Sequence, residues 1–371
     1  VLFEATLIPI YFMIGGFGGA GRSYAAVKFL LYSLFGGLLM LASVIGLYVV
    51  SADSPTGPTY LLSELSNLSM EEGLGRWLFL GFFIAFAIKA PMWPVHTWLP
   101  DAASEGTAGT SVLLVSVLDK IGTFGMLRFC LGIFPEASQW ATPVVVVLAV
   151  VSVLYGAVLA IGQDDMRRLI AYTSISHFGF IVLGIFVFNS QGHAGATLYM
   201  FNHGLSTAAL FLVTGFLISR HGSKMISDFG GVEKVAPVLA GVFLLSGLSS
   251  LSLPGLSPFV SEFLVLAGTF TVNQPVAVIA TLGIILAAGY VLWMIQRTTQ
   301  GTLNPTLSTV PRMRRDLTLR ESVVVAPMIV LIIVLGLYPK PLTDVINPAV
   351  EATLTHVDAT DPAPEVPEAQ P

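Results

Sequence analysis

Cysteine is nearly absent from this sequence, since Cys130 is the only one among 371 residues. A single cysteine excludes an intrachain disulfide framework and a cluster held by cysteines of this chain. The sequence also lacks a Walker A motif, a Cys/His pattern with metal-ligand spacing and a credible Ser/His/Asp set. The stretch GFGGAG (16–21) matches G-x-G-x-x-G, but it connects two apolar segments without a preceding strand, so it does not indicate dinucleotide binding. These absences leave the chain without a redox centre of its own.

Charge is also scarce, at 11% of the residues, whereas soluble domains usually carry about 25%. Hydrophobic residues make up 54% of the chain. Apolar runs near 20 residues recur, and about 20 residues of helix cross a hydrocarbon layer ~30 Å thick. The sequence therefore predicts an all-α polytopic membrane protein, with ten spanning segments near residues 1–17, 24–50, 77–98, 111–133, 141–162, 168–188, 195–219, 236–271, 274–296 and 321–338.

Two of these segments are interrupted. The third contains Pro91 and Pro94 within FAIKAPMWPVHTWLPD (86–101), and the eighth contains SLPGLSP (252–258). Proline lacks the backbone N–H and breaks the helical hydrogen-bond ladder. The interrupted segments lie five apart, and paired broken helices at corresponding positions are typical of inverted-repeat transporters. We therefore predict an inverted-repeat helix bundle with two discontinuous helices.

The same pattern divides the chain into four parts. We assign residues 1–133 to the end of a first inverted repeat with a break near 86–95, and 134–297 to a second repeat with a break near 252–258. Residues 298–340 form a loop and the last membrane helix, and residues 341–371 a polar, partly disordered tail. Because the sequence opens at Val1 inside an apolar stretch, we expect N-terminal helices to be missing.

Basic residues are distributed unevenly between the two sides of the predicted membrane. Three lie on one side, namely Arg76, Arg128 and Lys340, and twelve on the other, namely Arg22, Lys28, Arg167, Arg168, Arg220, Lys224, Lys234, Arg297, Arg312, Arg314, Arg315 and Arg320. Cytoplasmic loops carry the excess of Lys and Arg. The sequence therefore predicts that the C-terminal tail lies outside.

Six ionisable residues fall inside the predicted spans, namely Glu4, Lys89, Lys120, His177, His203 and Glu262. A charge at bilayer depth costs roughly 2.5–3.5 kcal/mol on insertion scales, so these side chains should face the bundle interior or pair. Desolvation favours the neutral forms of lysine and glutamate, and histidine titrates near neutral pH, so all three suit proton transfer. Plainer interpretations stay open: the lysines snorkel to an interface, the histidines bond a neighbouring helix, and Glu262 is structural.

Four stretches carry a resemblance to a known family, namely FEATLIPIY, AIKAPMWPVHTWLPDA, RRLIAYTSISHFGF and LPGLSPFVSEF. From Val1 to about Lys340 the chain resembles the antiporter-like membrane subunits of respiratory complex I, the proton-translocating NADH:quinone oxidoreductase. The resemblance implies an antiporter-like bundle in which four further helices precede Glu4.

The resemblance also implies roles for the six residues. Glu4 would pair with Lys89, Lys120 would be the central lysine, and Glu262 would release the proton. His177 and His203 would belong to the polar axis between them. Glu262 favours the branch of the family with glutamate at this position, since other members and most sodium/proton antiporters carry lysine.

The chain departs from the family pattern at two places. The stretch PDAASEGTAG differs at Ala103 and Thr107, where the family usually has histidine and proline. Asp119 stands where the family usually has an apolar residue. Since consecutive residues point about 100° apart around a helix, we do not expect Asp119 to be a partner of Lys120, although it could alter the proton affinity of that lysine.

The resemblance implies a function for the whole assembly. The chain would move protons outward across a bacterial inner membrane, driven by electron transfer from NADH to quinone. NADH, FMN, iron–sulfur clusters and quinone would be bound by partner subunits, with neighbouring membrane-arm subunits and lipid as the contacts of this chain. Alternatives are a subunit of a multisubunit monovalent cation/proton antiporter, a subunit of a hydrogenase- or formate-linked membrane complex, and a scaffolding subunit.

Overall fold

The structure, a computed structural model, describes residues 2–55, 57–309, 311, 313 and 315–362. Arg312 and Arg314 of the predicted basic side, and the predicted tail from residue 363 onward, lie outside the described residues. The longer helices are, in chain order, α1 (Leu7–Phe17), α2 (Arg22–Ser51), α3 (Glu72–Lys89), α4 (Trp98–Glu105), α5 (Ala108–Ile133), α6 (Pro135–Ile161), α7 (Met166–Phe186), α8 (Ser190–His221), α9 (Pro237–Ser250), α10 (Ser257–Val272), α11 (Gln274–Thr299), α12 (Leu319–Leu337) and α13 (Lys340–His356).

The helices confirm the predicted all-α membrane architecture. Seven of those described, α2, α5, α6, α7, α8, α11 and α12, are long and apolar enough to cross a membrane, and α1, α9 and α10 are shorter apolar helices. Helix α7 is the centre of the bundle, because 94% of its most apolar 18-residue stretch is buried. In α12 only 17% of the corresponding stretch is buried. A helix that is apolar on all sides and buried on all sides can hold polar side chains only where neighbouring helices satisfy them.

Both predicted interruptions are present. Helix α3 ends at Lys89 and the chain resumes helical structure at Trp98, after Pro91 and Pro94. Helix α9 ends at Ser250, and α10 begins at Ser257. The predicted limit of the third segment, residue 98, is wrong, because the second half of this broken helix continues to Glu105.

The first predicted segment, residues 1–17, is not one helix. A short helix, Leu2–Ala5, ends before Thr6, and α1 begins at Leu7. Pro9 explains the interruption, since its nitrogen cannot donate to the carbonyl of Ala5 and its ring crowds that carbonyl. Glu4 therefore lies on a short helical turn that Thr6 separates from α1.

Helix α5 contains two π-helical stretches that the sequence did not predict. They span Leu113–Leu118 and Met126–Cys130, and the α-helical turn Lys120–Gly125 lies between them. A π-helical turn inserts an extra residue and rotates the side chains that follow it, and such turns are frequent at functional sites. The rotation decides which neighbour each side chain of this segment faces.

The described part of the predicted tail is mostly helical, since Lys340–His356 forms α13. Val350 and Leu354 are buried, with 6% and 7% of their surface exposed. They lie four residues apart on one face, which packs against α8. The segment after the last membrane helix therefore begins as an amphipathic helix packed on the bundle.

Ion pairs join the helices on the predicted cytoplasmic side. Asp101 of α4 binds Lys28 of α2 at 2.7 Å and Arg168 of α7 at 2.8 Å. Lys224 lies 2.9 Å from Glu105, which extends the network to the loop after α8. This network fixes the second half of the first broken helix against three other elements.

Candidate functional site

Lys89 is the last residue of α3, and only 1% of its surface is exposed. Its ammonium group lies 5.6 Å from the centre of the Phe29 ring and interacts electrostatically with the Glu4 carboxylate. That carboxylate packs directly on Gly37 of α2, where an added Cβ would stand 2.4 Å from the carboxyl carbon. The structure thus places both side chains against α2, with Glu4 half-buried and Lys89 buried.

Lys120 occupies the α-helical turn between the two π-helical stretches of α5. Its ammonium group donates to the carbonyl oxygen of Val115 at 2.5 Å and to Nδ1 of His203 at 2.7 Å. It also lies 4.8 Å from the centre of the Phe178 ring. Lys120 therefore points into the bundle, and the snorkelling interpretation is wrong for it.

The two histidines lie side by side on α7 and α8. The centres of the His177 and His203 rings are 5.1 Å apart, and the centre of the Tyr199 ring lies 5.7 Å from that of His177. At most 4% of the surface of each histidine is exposed. Nδ1 of His177 and Nε2 of His203 have no hydrogen-bond partner among the described residues, so each ring keeps a nitrogen that can exchange a proton.

Glu262 of α10 ends this series of groups. Tyr199 donates to Oε2 of Glu262 at 2.7 Å, and the Ser252 hydroxyl donates to the same oxygen. Ser252 lies in the break between α9 and α10 with φ of 58°, a conformation that favours glycine. The break in the helix therefore places the hydroxyl of Ser252, a residue with a strained backbone, against the Glu262 carboxylate.

Other polar residues near the site bond the backbone instead of linking titratable groups. Thr173 donates to the carbonyl of Leu169, and Ser176 donates to that of Val153 on α6. Asn202 donates to the carbonyl of Ser257 at 2.8 Å, which attaches α8 to the first residue of α10. These three bonds help to hold the helices in place around the site.

The six predicted residues form two groups. Lys120, His203, His177 and Glu262 lie in one series that Tyr199 completes, and Glu4 and Lys89 lie in the other. Lysine, histidine, tyrosine and glutamate in contact or near contact can take up and give up protons in sequence. Among the described residues no group of three or more His, Cys, Asp or Glu side chains could hold a metal ion.

Asp119 is a further buried acid of α5, directly before Lys120. Its surface is fully buried, and neither carboxylate oxygen accepts a hydrogen bond from a described residue. The lack of a hydrogen bond to Lys120 agrees with the expectation from the angle of about 100° between consecutive helical residues.

Comparison with known proteins identifies relatives of this chain. A family model described as NADH:quinone oxidoreductase/Mrp antiporter, TM, matches residues 1–287. The chain is 58% identical to NADH-quinone oxidoreductase subunit M of Mycobacterium tuberculosis (strain ATCC 25618 / H37Rv) over 373 residues, covering 99% of this chain and 66% of that relative. It is 41% identical to the subunit M of Rhodobacter capsulatus, covering 94% of this chain and 69% of the relative.

A solved structure also matches the fold. A chain of respiratory complex I from Thermus thermophilus with bound NADH superimposes with a TM-score of 0.87 and 35% identity. The match covers 96% of this chain and 74% of that chain. The sequence in hand thus spans about two thirds to three quarters of the length of the proteins that it resembles.

Proposed function

The chain belongs to the NADH:quinone oxidoreductase/Mrp antiporter transmembrane family, and we propose that it is the larger part of a subunit M, a proton-translocating membrane-arm subunit of NADH:quinone oxidoreductase. One observation carries the proposal: a buried series of titratable groups runs from Lys120 through His203, His177 and Tyr199 to Glu262. Burying ionisable side chains within a membrane is energetically unfavourable, and such residues typically mark pathways for ions or protons.

In the proposed mechanism, Glu4 and Lys89 form a switch. Each stabilises the charged form of the other while they are close, and separating them makes Lys89 release its proton. Lys120 then passes a proton to His203, to which it is already hydrogen-bonded at 2.7 Å. Glu262 receives the proton and releases it on the outer side. Each charge moved outward works against about 2.3 kcal/mol per 100 mV of membrane potential, which quinone reduction elsewhere in the complex supplies.

The same proposal assigns the organisation and partners of the chain. Residues 1–133 and 134–297 belong to two inverted repeats, each with one broken helix, and residues 298–340 hold a loop and the last membrane helix. NADH, FMN, iron–sulfur clusters and quinone are bound by partner subunits. Neighbouring antiporter-like subunits and lipid surround this chain in a bacterial inner membrane, with α13 on the outer side.

The test uses the whole complex, purified with the full-length subunit and reconstituted in vesicles. Lys120→Ala and Glu262→Gln should each abolish NADH-driven proton uptake, because each removes a titratable member of the buried series. Lys340→Ala and Glu351→Gln are the matched controls, since both residues are exposed on α13. Wild-type uptake by assembled Lys120→Ala and Glu262→Gln complexes would support a scaffolding role instead. Sodium-driven proton transport without NADH would support a cation/proton antiporter.

A further inference from the structure

Helices α5 and α8 pack closely on the predicted cytoplasmic side of Lys120. A Cβ added at Gly215 of α8 would stand 2.4 Å from the Cβ of Ala108, where α5 begins. One added at Gly204 would stand 3.0 Å from the carbonyl oxygen of Ser116 and 3.9 Å from Cε of Lys120. Because glycine has no side chain, the two backbones come close together, and this half of the interface is closed by direct contact.

On the predicted outer side of Lys120 the same two helices separate. A cavity of about 570 Å³ lies between them, with α13 as its third wall. Exposed Arg128 and His356 stand at its mouth, and buried His193 of α8 lines its interior. Neither ring nitrogen of His193 makes a well-aligned hydrogen bond to a described residue. The polar lining residues are Ser66, Arg128, His193, Thr197, Thr353 and His356, and the others are apolar or small. Since a buried water needs about two to four polar partners, this lining suits water.

The inner end of the cavity is formed by Met200, which lies one helical turn from His203 on α8. Its Sδ atom is 2.8 Å from the hydroxyl of Thr123, and that hydroxyl is 3.1 Å from the carbonyl oxygen of Lys120. Half-buried Met200 lines the cavity, whereas fully buried Thr123 does not. The thioether of Met200 therefore separates the cavity from the turn of α5 that carries Lys120.

We propose that this cavity is an outer aqueous vestibule leading toward Lys120, and that Met200 is the barrier that keeps its water from the buried lysine; this rests on the proposed function. Lys120 is hydrogen-bonded to His203 at 2.7 Å, within the series that carries protons. Water that passed Met200 would give protons on the outer side a way back to Lys120, and the gradient would be dissipated. An apolar thioether at this point prevents that return.

The first measurement is thiol labelling of the intact complex, in vesicles whose accessible face is the outer one, with a membrane-impermeant methanethiosulfonate. Such reagents attack thiolates, which form in water and not in an apolar interior. Thr197→Cys should be labelled, and Thr123→Cys should not, unless Met200→Ala is added. Met328→Ala is the matched control, since Met328 of α12 is also half-buried but does not line the cavity. The native Cys130 is buried and should stay unlabelled.

The second measurement is passive proton leak through the same vesicles under an imposed pH gradient, without NADH. Met200→Ala removes three heavy atoms and leaves space for a water molecule, which occupies about 30 Å³ in the liquid. We expect it to raise the leak by roughly tenfold, the factor that corresponds to about 1.4 kcal/mol of barrier. Met200→Leu, which preserves the volume, and Met328→Ala should leak like the wild type. Adding Lys120→Met to Met200→Ala should abolish the extra leak, because methionine fills the space of the lysine and carries no exchangeable proton.

The outcomes separate this inference from the proposed function. Unlabelled Thr197→Cys would show that the cavity holds no water, and a wild-type leak in Met200→Ala would show that Met200 is no barrier. A leak that persists after Lys120→Met would show that the path does not reach the lysine. Each of these results overturns the inference alone, provided that Lys120→Met by itself loses NADH-driven uptake. Wild-type uptake by the Lys120→Met complex would overturn the proposed function and the inference with it.

Discussion

Gly37 of α2 offers a direct test of the Glu4 position. An alanine Cβ at this residue would stand 2.4 Å from the carboxyl carbon of Glu4. Ordinary carbon–carbon contacts are about 3.5 Å or longer, so the carboxylate must move by about 1 Å. For opposite charges about 6 Å apart at an effective dielectric constant of 20, a shift of about 1 Å changes the interaction by about 0.4 kcal/mol. That energy corresponds to roughly a twofold factor in rate.

We therefore expect Gly37→Ala to slow NADH-driven proton uptake by roughly twofold, because the displaced Glu4 carboxylate interacts with Lys89 at a changed distance. The assay is acidification of vesicles that contain the intact complex, with thermal unfolding measured on the same preparation. The matched control is Gly289→Ala in the middle of α11, where nothing lies within 4 Å of an added Cβ.

Both substitutions gain helix stability of about 0.5–1 kcal/mol from the change of glycine to alanine. Only Gly37→Ala meets a functional side chain, so the two variants separate helix propensity from the effect on Glu4. If Gly37→Ala pumps as fast as Gly289→Ala and melts at the same temperature, the Glu4 carboxylate does not occupy this position, and the reasoning is refuted.

Three other substitutions test the site and its supports. Ser252→Gly and Ser252→Ala both remove the hydroxyl that donates to Glu262, so both should slow pumping to the same extent. Because φ is 58° at this residue, the free energy of unfolding of the glycine variant should exceed that of the alanine variant by about 1 kcal/mol. Leu354→Ala should cost about 2 kcal/mol or more and expose α13 to proteolysis, whereas Val345→Ala, at a residue with 75% of its surface exposed, should not. Arg220→Lys replaces a two-pronged contact with Glu321, in which both distances are 2.7 Å, and should lower the melting temperature of the complex without changing the proton-to-NADH ratio.

The membrane architecture could be predicted from the sequence because the hydrocarbon thickness of the bilayer sets the length of each spanning helix. A chain with 11% charged residues and recurrent apolar runs must satisfy its backbone within helices. Both broken helices were predicted because proline removes a hydrogen-bond donor wherever it stands. The same rule explains the break before α1, which the sequence analysis did not predict and where Pro9 cannot donate to the carbonyl of Ala5.

The site residues were predictable as candidates for a related reason. A lysine or glutamate inside an apolar run is costly in every fold, so Lys89, Lys120 and Glu262 stood out without coordinates. Which of them meet was not predictable. The hydrogen bond from Lys120 to His203 joins residues 83 apart in sequence, and that from Tyr199 to Glu262 joins residues 63 apart.

By itself the sequence determined the class of protein, the two interruptions and the set of ionisable residues, since each depends on local chemistry in a fixed solvent. Only the tertiary structure decided the direction in which each side chain points. Lys120 is the clearest case, because nothing in its own segment indicates which neighbouring helix its side chain meets. Packing of α5 against α8, with a π-helical turn before Lys120, places its ammonium group 2.7 Å from Nδ1 of His203, because long-range contacts choose the faces of a helix.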